Sequence, residues 1–339
     1  MKTLDATKKI SELKEDLSRE ECAEVFDEIM SGEVPEAVIA AFLVALKMKG
    51  VSPQELVGAV SILRKRAHFI NAGGRYAIDT CGTGGDGLNT FNISTTSAFI
   101  AAGAGATVAK HGGKAVSSKC GSADVLAALG VNIDAPAEVM EHCLLEHGIA
   151  FLFAQKMHPA WKYAMPLRRL LKFRTIFNML GPLVNPAGAL GQVVGVFSSN
   201  LTELFANVLR DLGSKRALIV HGSDGMDEIT LRGQTRISEL RNGTIKTYEF
   251  RPEYIVGEVD SFEELEGGTI EQNAKKTLGI LRNENKSCAR DICLLNSAAA
   301  IISAGLADDF KAAFELAKES LESGKALDKL ETLIKFSNQ

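Results

Sequence analysis

From Tyr76 onward, short apolar runs alternate with helical stretches, and this alternation restricts the fold more than any other feature of the chain. Ala77–Thr80, Thr107–Lys110, Ile149–Phe153, Gln192–Phe197 and Ala217–Val220 read as strands. Ser94–Ala102, Ser122–Leu129, Pro136–His147 and Leu201–Leu212 read as the helices between them, with Gly130, Gly148 and Gly213 where helices end. Strands that alternate with helices run mostly parallel and carry helices on both faces of the sheet. Arg241-Asn242-Gly243-Thr244 has the signature of a two-residue hairpin, so two antiparallel strands are expected late in the sheet. From about Thr269 the pattern is helical again.

Residues before Tyr76 read as helices only. Ser18 and Glu21 have capping-box spacing ahead of a helix that should stop near Gly32. Pro35 suits a first helical position, and Val38, Ile39, Phe42, Ala45 and Leu46 then recur at helical spacing up to Gly50. Ser52-Pro53-Gln54-Glu55 opens a third helix with both a cap and a proline. The fold class expected is therefore α/β: a small all-helical N-terminal domain, then a larger α/β domain whose mostly parallel central sheet is flanked by helices. The stretch from His158 to Pro186 is rich in proline and basic residues and shows no clear strand, so it is expected to cross back to the helices.

Charge and composition narrow the function. The formal net charge is −4 with 24% charged residues, which gives a general nucleic-acid-binding role no electrostatic support. The opening MKTLDATKKISELKEDLSREE lacks the apolar core of a signal peptide, and no apolar run is long enough to cross a bilayer. The six cysteines form no C-x-x-C pair and read as reduced thiols, so a cytoplasmic location is expected.

The glycine-rich run Gly82-Thr83-Gly84-Gly85-Asp86-Gly87 follows the first strand of this region. It formally satisfies G-x-G-x-x-G, but a dinucleotide site needs a carboxylate at the end of the second strand, where Lys110-His111 stands instead. A phosphate cradle fits better. Glycine lets backbone N–H groups approach an anion, and Asn92-Ile93-Ser94-Thr95-Thr96 opens a helix whose first N–H groups face the same spot. The next strand end, Lys110 to Lys119, adds cations and hydroxyls. Neighbouring parallel strands place these two loops side by side, which suggests a ligand with more than one phosphate group. A third loop, "VHGSDGMDEIT", carries Asp227 and Glu228, and one or two carboxylates with ligand phosphates suffice for Mg²⁺.

Together, "GTGGDGLNTFNIST", "KHGGKAVSSKCGSADVLAALG", "HPAWKYAMPLRRLLKFRTIFNMLGPLVNPA" and "VHGSDGMDEIT" resemble the anthranilate phosphoribosyltransferase family of tryptophan biosynthesis, in register over nearly the whole chain. The resemblance implies transfer of a phosphoribosyl group from phosphoribosyl pyrophosphate (PRPP) to anthranilate, with Mg²⁺, two ions being expected. It also implies a homodimer formed through a helical domain of residues 1–72 plus about 168–188, with residues 73–167 and 189–339 forming the phosphoribosyl-binding α/β domain. By position it assigns PRPP to Gly82, Gly85, Asp86, Thr90, Asn92, Ile93, Ser94, Thr95, Lys110, His111, Gly112, Gly113, Lys114, Ala115, Val116, Ser117, Ser118 and Ser122. It assigns anthranilate to Gly82, Gly113 and Arg168, with His111 close to that pocket, and the metal to Ser94, Asp227 and Glu228. Arg168 suits a carboxylate because its planar fork pairs at two points.

Two departures stand out. The family usually has Asn where this chain has Gly113, and Gly-Pro where it has Cys288-Ala289. The first removes a side chain that would hold the acceptor amine and the ribose. Two rival readings remain open: a pyrimidine nucleoside phosphorylase of similar architecture, which has no need for the Asp227–Glu228 pair, and a non-catalytic nucleic-acid-binding relative, which predicts a basic surface and a lost metal motif.

Overall fold

The computed structural model describes all residues except 116–119, 258 and 260, and the side chain of Arg169. The N-terminal part consists of α1 (Lys2–Lys8), α2 (Arg19–Ser31), α3 (Glu36–Lys49) and α4 (Pro53–Lys65), with a single π-helical turn after α1. Both expected capping boxes form: Ser18 with Glu21 starts α2, and Ser52 with Glu55 starts α4. Gly32 ends α2 in the left-handed conformation. Pro35 sits one residue before α3 rather than inside it, because its ψ of 139° is extended.

The α/β part runs β1 (Ala77–Asp79), α5 (Ile93–Gly103), β2 (Thr107–Gly112), α6 (Ser122–Ala128), α7 (Ala137–His147) and β3 (Ile149–Phe153). The short helices α8 (Ala154–Met157), α9 (Met165–Leu171) and α10 (Phe177–Leu180) follow, then β4 (Gly191–Gly195), α11 (Leu201–Asp211), β5 (Arg216–Gly222), β6 (Thr235–Arg241) and β7 (Thr244–Phe250). The chain ends with a short turn α12 (Glu253–Val256) and the helices α13 (Ile270–Leu281), α14 (Cys288–Ser303), α15 (Phe310–Glu322) and α16 (Lys325–Ser337).

Among the described residues the sheet has the order β3-β2-β1-β4-β5-β6-β7, parallel through β5 and antiparallel at β6 and β7. The hairpin turn is the expected one: Arg241 pairs with Thr244, and Asn242 and Gly243 both have positive φ. Strand order reverses at β1, whose neighbours are β2 and β4. Such a reversal opens a crevice at the carboxyl ends of the strands.

Successive residues of the central strands feed opposite cores, as the two-residue period of a strand demands. Val193 and Leu218 pack beneath α5 and α14, whereas Val194 and Ile219 pack with α11 and the N-terminal helices. The segment between β3 and β4 joins the second core through Ala164, Leu167, Phe177, Leu180 and Leu183. Phe26 of α2 meets Phe177 edge-on at 5.9 Å, and the Arg64 Nε of α4 donates to the Leu183 carbonyl at 2.8 Å. The helices and the crossing segment are thus one packed body.

Glu55 ties the helices together. It is fully buried, accepts from the backbone of Leu17 at 3.0 Å and of Ser52 at 2.7 Å, and pairs with Lys49 Nζ at 3.0 Å. Removing Glu55 strips the Leu17 and Ser52 N–H groups of their acceptor and takes one of two carboxylates from Lys49, which keeps Asp16 as a partner. Glu55→Ala should therefore cost about 3 kcal/mol or more of stability, read as a lower urea midpoint. A midpoint equal to the wild type's would show that Glu55 does not anchor the bundle.

Candidate active site

The crevice at the strand ends is built by three loops. The glycine loop leaves β1, and its conformation needs glycine: Gly84 and Gly85 have φ of +64° and +78°, which L side chains rarely adopt. Two hydrogen bonds stitch it to the end of β4, from the Thr83 N–H to the Gly195 carbonyl at 2.8 Å and from the Phe197 N–H to Thr83 Oγ1 at 3.1 Å. The loop after β5 closes over the same point. A Cβ on Gly195 would lie 1.5 Å from the Asp227 carbonyl oxygen, so only glycine lets these two loops meet.

This meeting gathers a cluster of half-buried acids. Asp227 Oδ2 accepts the Gly84 N–H at 2.7 Å and would touch a Cβ on Gly82 at 3.0 Å. The Asp86 carboxylate lies against that of Asp227; its Oδ1 accepts the Leu88 N–H at 3.1 Å, while its Oδ2 is buried without a partner. Burial first, and then the Asp86 charge, push the Asp227 carboxyl up to about 7. Burial and Asp227 likewise hold the Glu228 carboxyl well above its usual range, opposed by Lys110 and by the Ser94 N–H, which donates to it. The cluster of three carboxylates has Lys110 as one positive charge acting on it. All its donors are oxygens, which is the donor set that hard Mg²⁺ prefers. The residues present therefore fit that ion. A second set of donor atoms, from Asp79, Cys81 and His111, lies within 4.8 Å of one another. There both Asp79 oxygens are already engaged, by the His111 N–H at 3.1 Å and by Asn185 at 2.8 Å.

Opposite the acids lie unpaired donors. Among the described residues the N–H groups of Gly85, Asp86 and Gly87 have no acceptor, nor does that of Thr95 in the first turn of α5. Free N–H groups in a glycine loop and at a helix start form an anion cradle. Ile93 and Thr95 are themselves buried and support this turn. Lys110 is buried below, its Nζ donating to the Thr80 carbonyl and hydroxyl at 3.2 and 3.3 Å. Asn92 reaches the second loop through the Cys120 carbonyl at 3.3 Å, and Thr90 bridges to Glu266 at the rim.

The second loop follows β2. Gly113 accepts from Ser122 Oγ at 3.5 Å and from the Ala123 N–H at 3.1 Å, and Asp124 Oδ2 accepts the Ala115 and Gly121 N–H groups at 3.0 and 2.9 Å. Gly112 ends the strand, paired with Phe153 of β3, and Lys114 is exposed. A Cβ on Gly113 would meet Gln155 Oε1 at 3.5 Å and Ala154 at 3.9 Å, ordinary contacts, and its φ is not positive. Neither space nor backbone requires glycine there. Val116, Ser117 and Ser118, assigned above to PRPP, lie outside the described residues.

Arg168 stands on α9 at a separate wall of the crevice. Its guanidinium lies over Trp161 at 6.0 Å, Trp161 lies 5.8 Å from His158, and His158 meets His111 edge-on at 5.1 Å. This relay connects Arg168 to His111, whose Nδ1 faces the Gly181 carbonyl at 3.1 Å. His111 Nε2, both nitrogens of His158 and the Trp161 Nε1 are buried without hydrogen-bond partners. Burial lowers the Arg168 pKa. Sequence reasoning missed Thr83, Gly195, Asn185, His158 and Arg174. Asn185 sits inside the quoted "GPLVNPA" stretch, so a signal was present without a role attached to it.

A helical bundle joined to an α/β sheet whose switch point bears an anion cradle defines a class of group-transfer enzymes, and family models agree. One described as "Glycosyl transferase family, a/b domain" matches residues 74–327, and "Glycosyl transferase family, helical bundle domain" matches residues 5–67. Anthranilate phosphoribosyltransferase of Desulfosudis oleivorans is 51% identical over 96% of both chains, and that of Syntrophobacter fumaroxidans 50% identical over 99% of both. The crystal structure of anthranilate phosphoribosyltransferase from Thermus thermophilus superposes with a TM-score of 0.93 at 40% identity, covering 99% of this chain and 100% of that one. The Saccharomyces cerevisiae enzyme, solved in complex with PRPP and Mg, superposes with a TM-score of 0.89 at 25% identity, covering 99% and 98%. The chain belongs to the glycosyl transferase family, in its anthranilate phosphoribosyltransferase branch.

The unpartnered histidines give the site an acid-sensitive wall. Burial lowers the His158 pKa from the usual 6.5 to about 4. The unfolded chain therefore binds a proton between pH 6.5 and 4 that the folded chain refuses, and stability falls as pH falls through that window. The loss through His158 alone should reach roughly 3 kcal/mol. Urea midpoints at pH 7 and pH 4 should show a smaller acid loss in His158→Phe than in the wild type. An unchanged loss would mean that His158 is not held neutral.

Proposed function

We propose that this chain transfers the phosphoribosyl group of PRPP to the amine of anthranilate, giving N-(5-phosphoribosyl)anthranilate and pyrophosphate in tryptophan biosynthesis. The observation that carries this reading is the half-buried acid cluster bonded to a glycine loop whose next N–H groups are free. A site built for inorganic phosphate alone has no need of the acids. A nucleic-acid-binding surface is disfavoured by the net charge of −4.

In this reading, the free N–H groups of Gly85, Asp86, Gly87 and Thr95 hold the donor's phosphate oxygens, with Asn92, Ser122 and the residues from Lys110 to Ala115 around them. Asp227, Glu228 and Ser94 hold magnesium, two ions in all, with Asp86 beside them. Bound there, magnesium neutralises the charge that grows on the departing pyrophosphate. Arg168 pairs with the anthranilate carboxylate. An aromatic amine is a weak nucleophile, so the site's work is to place it in line with the anomeric carbon and exclude water. No covalent intermediate is needed, and inversion at that carbon follows. His111 steadies the acceptor through its free Nε2 without acting as the base. Its pKa, lowered well below 6.5 by burial, keeps it neutral beside an incoming amine.

We further propose that residues 1–72 with about 168–188 form the helical domain, and residues 73–167 with 189–339 the α/β domain. The helical domain would pair two copies of the chain, a reading supported by the exposed Met48 and Leu170. The cysteines form no disulfide among the described residues, which supports reduced thiols in a cytoplasmic location. No helix of the described residues is long and apolar enough to cross a membrane.

Anthranilate is fluorescent, so its consumption with PRPP and Mg²⁺ can be followed directly. The wild type should consume it only when both are present, and replacing Asp227 and Glu228 together by Ala should slow turnover at least roughly a hundredfold. No consumption by the wild type, or phosphorolysis of a pyrimidine nucleoside in its place, would overturn the reading. Arg168→Ala should raise KM for anthranilate by roughly tenfold to a hundredfold and leave that for PRPP within about twofold. Equal effects on both substrates would make Arg168 a packing residue.

A further inference from the structure

Arg174 is exposed on the loop that follows α9, yet it is held at two points. Its guanidinium lies over the Phe197 ring at 4.2 Å, and its Nη2 donates to the Gly85 carbonyl. Phe197 is itself tied to the glycine loop through Thr83 Oγ1 at 3.1 Å. The crossing segment therefore grips the glycine loop from outside, while β4 and Asp227 grip it from the other side.

We propose that Arg174 is a positioning residue for the pyrophosphate-bearing substrate, acting through the glycine loop; this rests on the phosphoribosyl-transfer reading above. The peptide group is planar and trans, so the Gly85 carbonyl and the Asp86 N–H point in opposite directions. Drawing the carbonyl outward onto a guanidinium aims the Asp86 N–H away from Arg174, into the cradle. The effect is needed here because Gly84, Gly85 and Gly87 all sit at positive φ, in a stretch with many accessible conformations when nothing holds it. The cation–π contact with Phe197 fixes the guanidinium plane, so the carbonyl meets a donor of defined direction. Lysine can carry the charge but lacks the flat face, and the geometry assigns the role to arginine for that reason.

The test is steady-state kinetics together with calorimetric titration of magnesium pyrophosphate into wild type, Arg174→Ala and Arg174→Lys. Arg174→Ala should raise KM for PRPP and the Kd for magnesium pyrophosphate at least about tenfold, with KM for anthranilate within about twofold. Added methylguanidinium should restore part of that loss, and Arg174→Lys should fall between the two. Phe197→Leu keeps the arginine but removes its face, so it should shift the same constants in the same direction by less. It keeps the proposal testable if Arg174→Ala is poorly folded by circular dichroism. PRPP and pyrophosphate constants within about twofold of wild type in a folded variant would overturn the proposal, as would equal rises for both substrates. Failure of the underlying reading looks different: the wild type itself would then neither bind magnesium pyrophosphate nor consume anthranilate.

Discussion

The approach of Asp227 to Gly195 is the constraint on which the rest of this structure depends. A single methyl group on Gly195 would overlap the Asp227 carbonyl, so the loop after β5 can close against the end of β4 only with glycine there. That closure carries the Asp227 carboxylate over the glycine loop, where the Gly84 N–H receives it. It also half-buries Glu228 and leaves the carboxylates of Asp86, Asp227 and Glu228 near one another, partly shielded from water. Such a cluster is costly without a cation. Under the proposed function, stability would be given up here for a place that takes a metal-bound pyrophosphate, as strongly shifted carboxyl groups often mark active sites.

Topology makes that approach available. β1, β4 and β5 are parallel neighbours, so their carboxyl ends and the loops that leave them emerge on one side. The switch of direction at β1 opens the crevice between the glycine loop and the loop after β2. The crossing segment then supplies a wall that the sheet lacks. It begins at β3, packs into the core of α2 and α4, and returns to β4, carrying His158, Trp161, Arg168 and Arg174 past the crevice on the way. On the proposed assignment, the acceptor side of the site would belong to the helical core and the donor side to the sheet. Any motion of one against the other changes the distance between the two substrates.

Much of this was legible from the chain. Strands form at all five expected places, 77–80, 107–110, 149–153, 192–197 and 217–220, with ends shifted by one or two residues at all but 149–153, because each is a short run with apolar residues at its centre. The caps at Ser18 and Ser52 and the turn at Asn242-Gly243 are local chemistry and could be read residue by residue. Contacts between residues distant in sequence were harder. That Asp86 joins Asp227 depends on strand order, which no local pattern fixes. Gly195 looked like an ordinary strand residue, since its demand comes from the loop after β5, far along the chain. Asn185 carries no charge and no repeat, yet its amide spans the Asp79 carboxylate and the Ala109 carbonyl at 2.8 and 2.7 Å.

Gly113 shows how such a departure from a family pattern is to be weighed. A glycine retained for its backbone would show a positive φ or a Cβ clash, as Gly84 and Gly195 do. Gly113 shows neither, and a Cβ there would make ordinary contacts with Gln155 and Ala154. The fold therefore exerts no pressure for glycine at this position, and the difference acts on the ligand alone. A side-chain amide there would add one uncharged hydrogen bond, about 0.5–1.5 kcal/mol. Hydrogen bonds to charged groups are stronger, and under the proposed assignment both the Arg168 guanidinium and the acid cluster would act through charge. If Arg168 takes the acceptor's carboxylate as proposed, the acceptor site of this chain would depend more on that grip, and less on the amine, than a chain with Asn at that position.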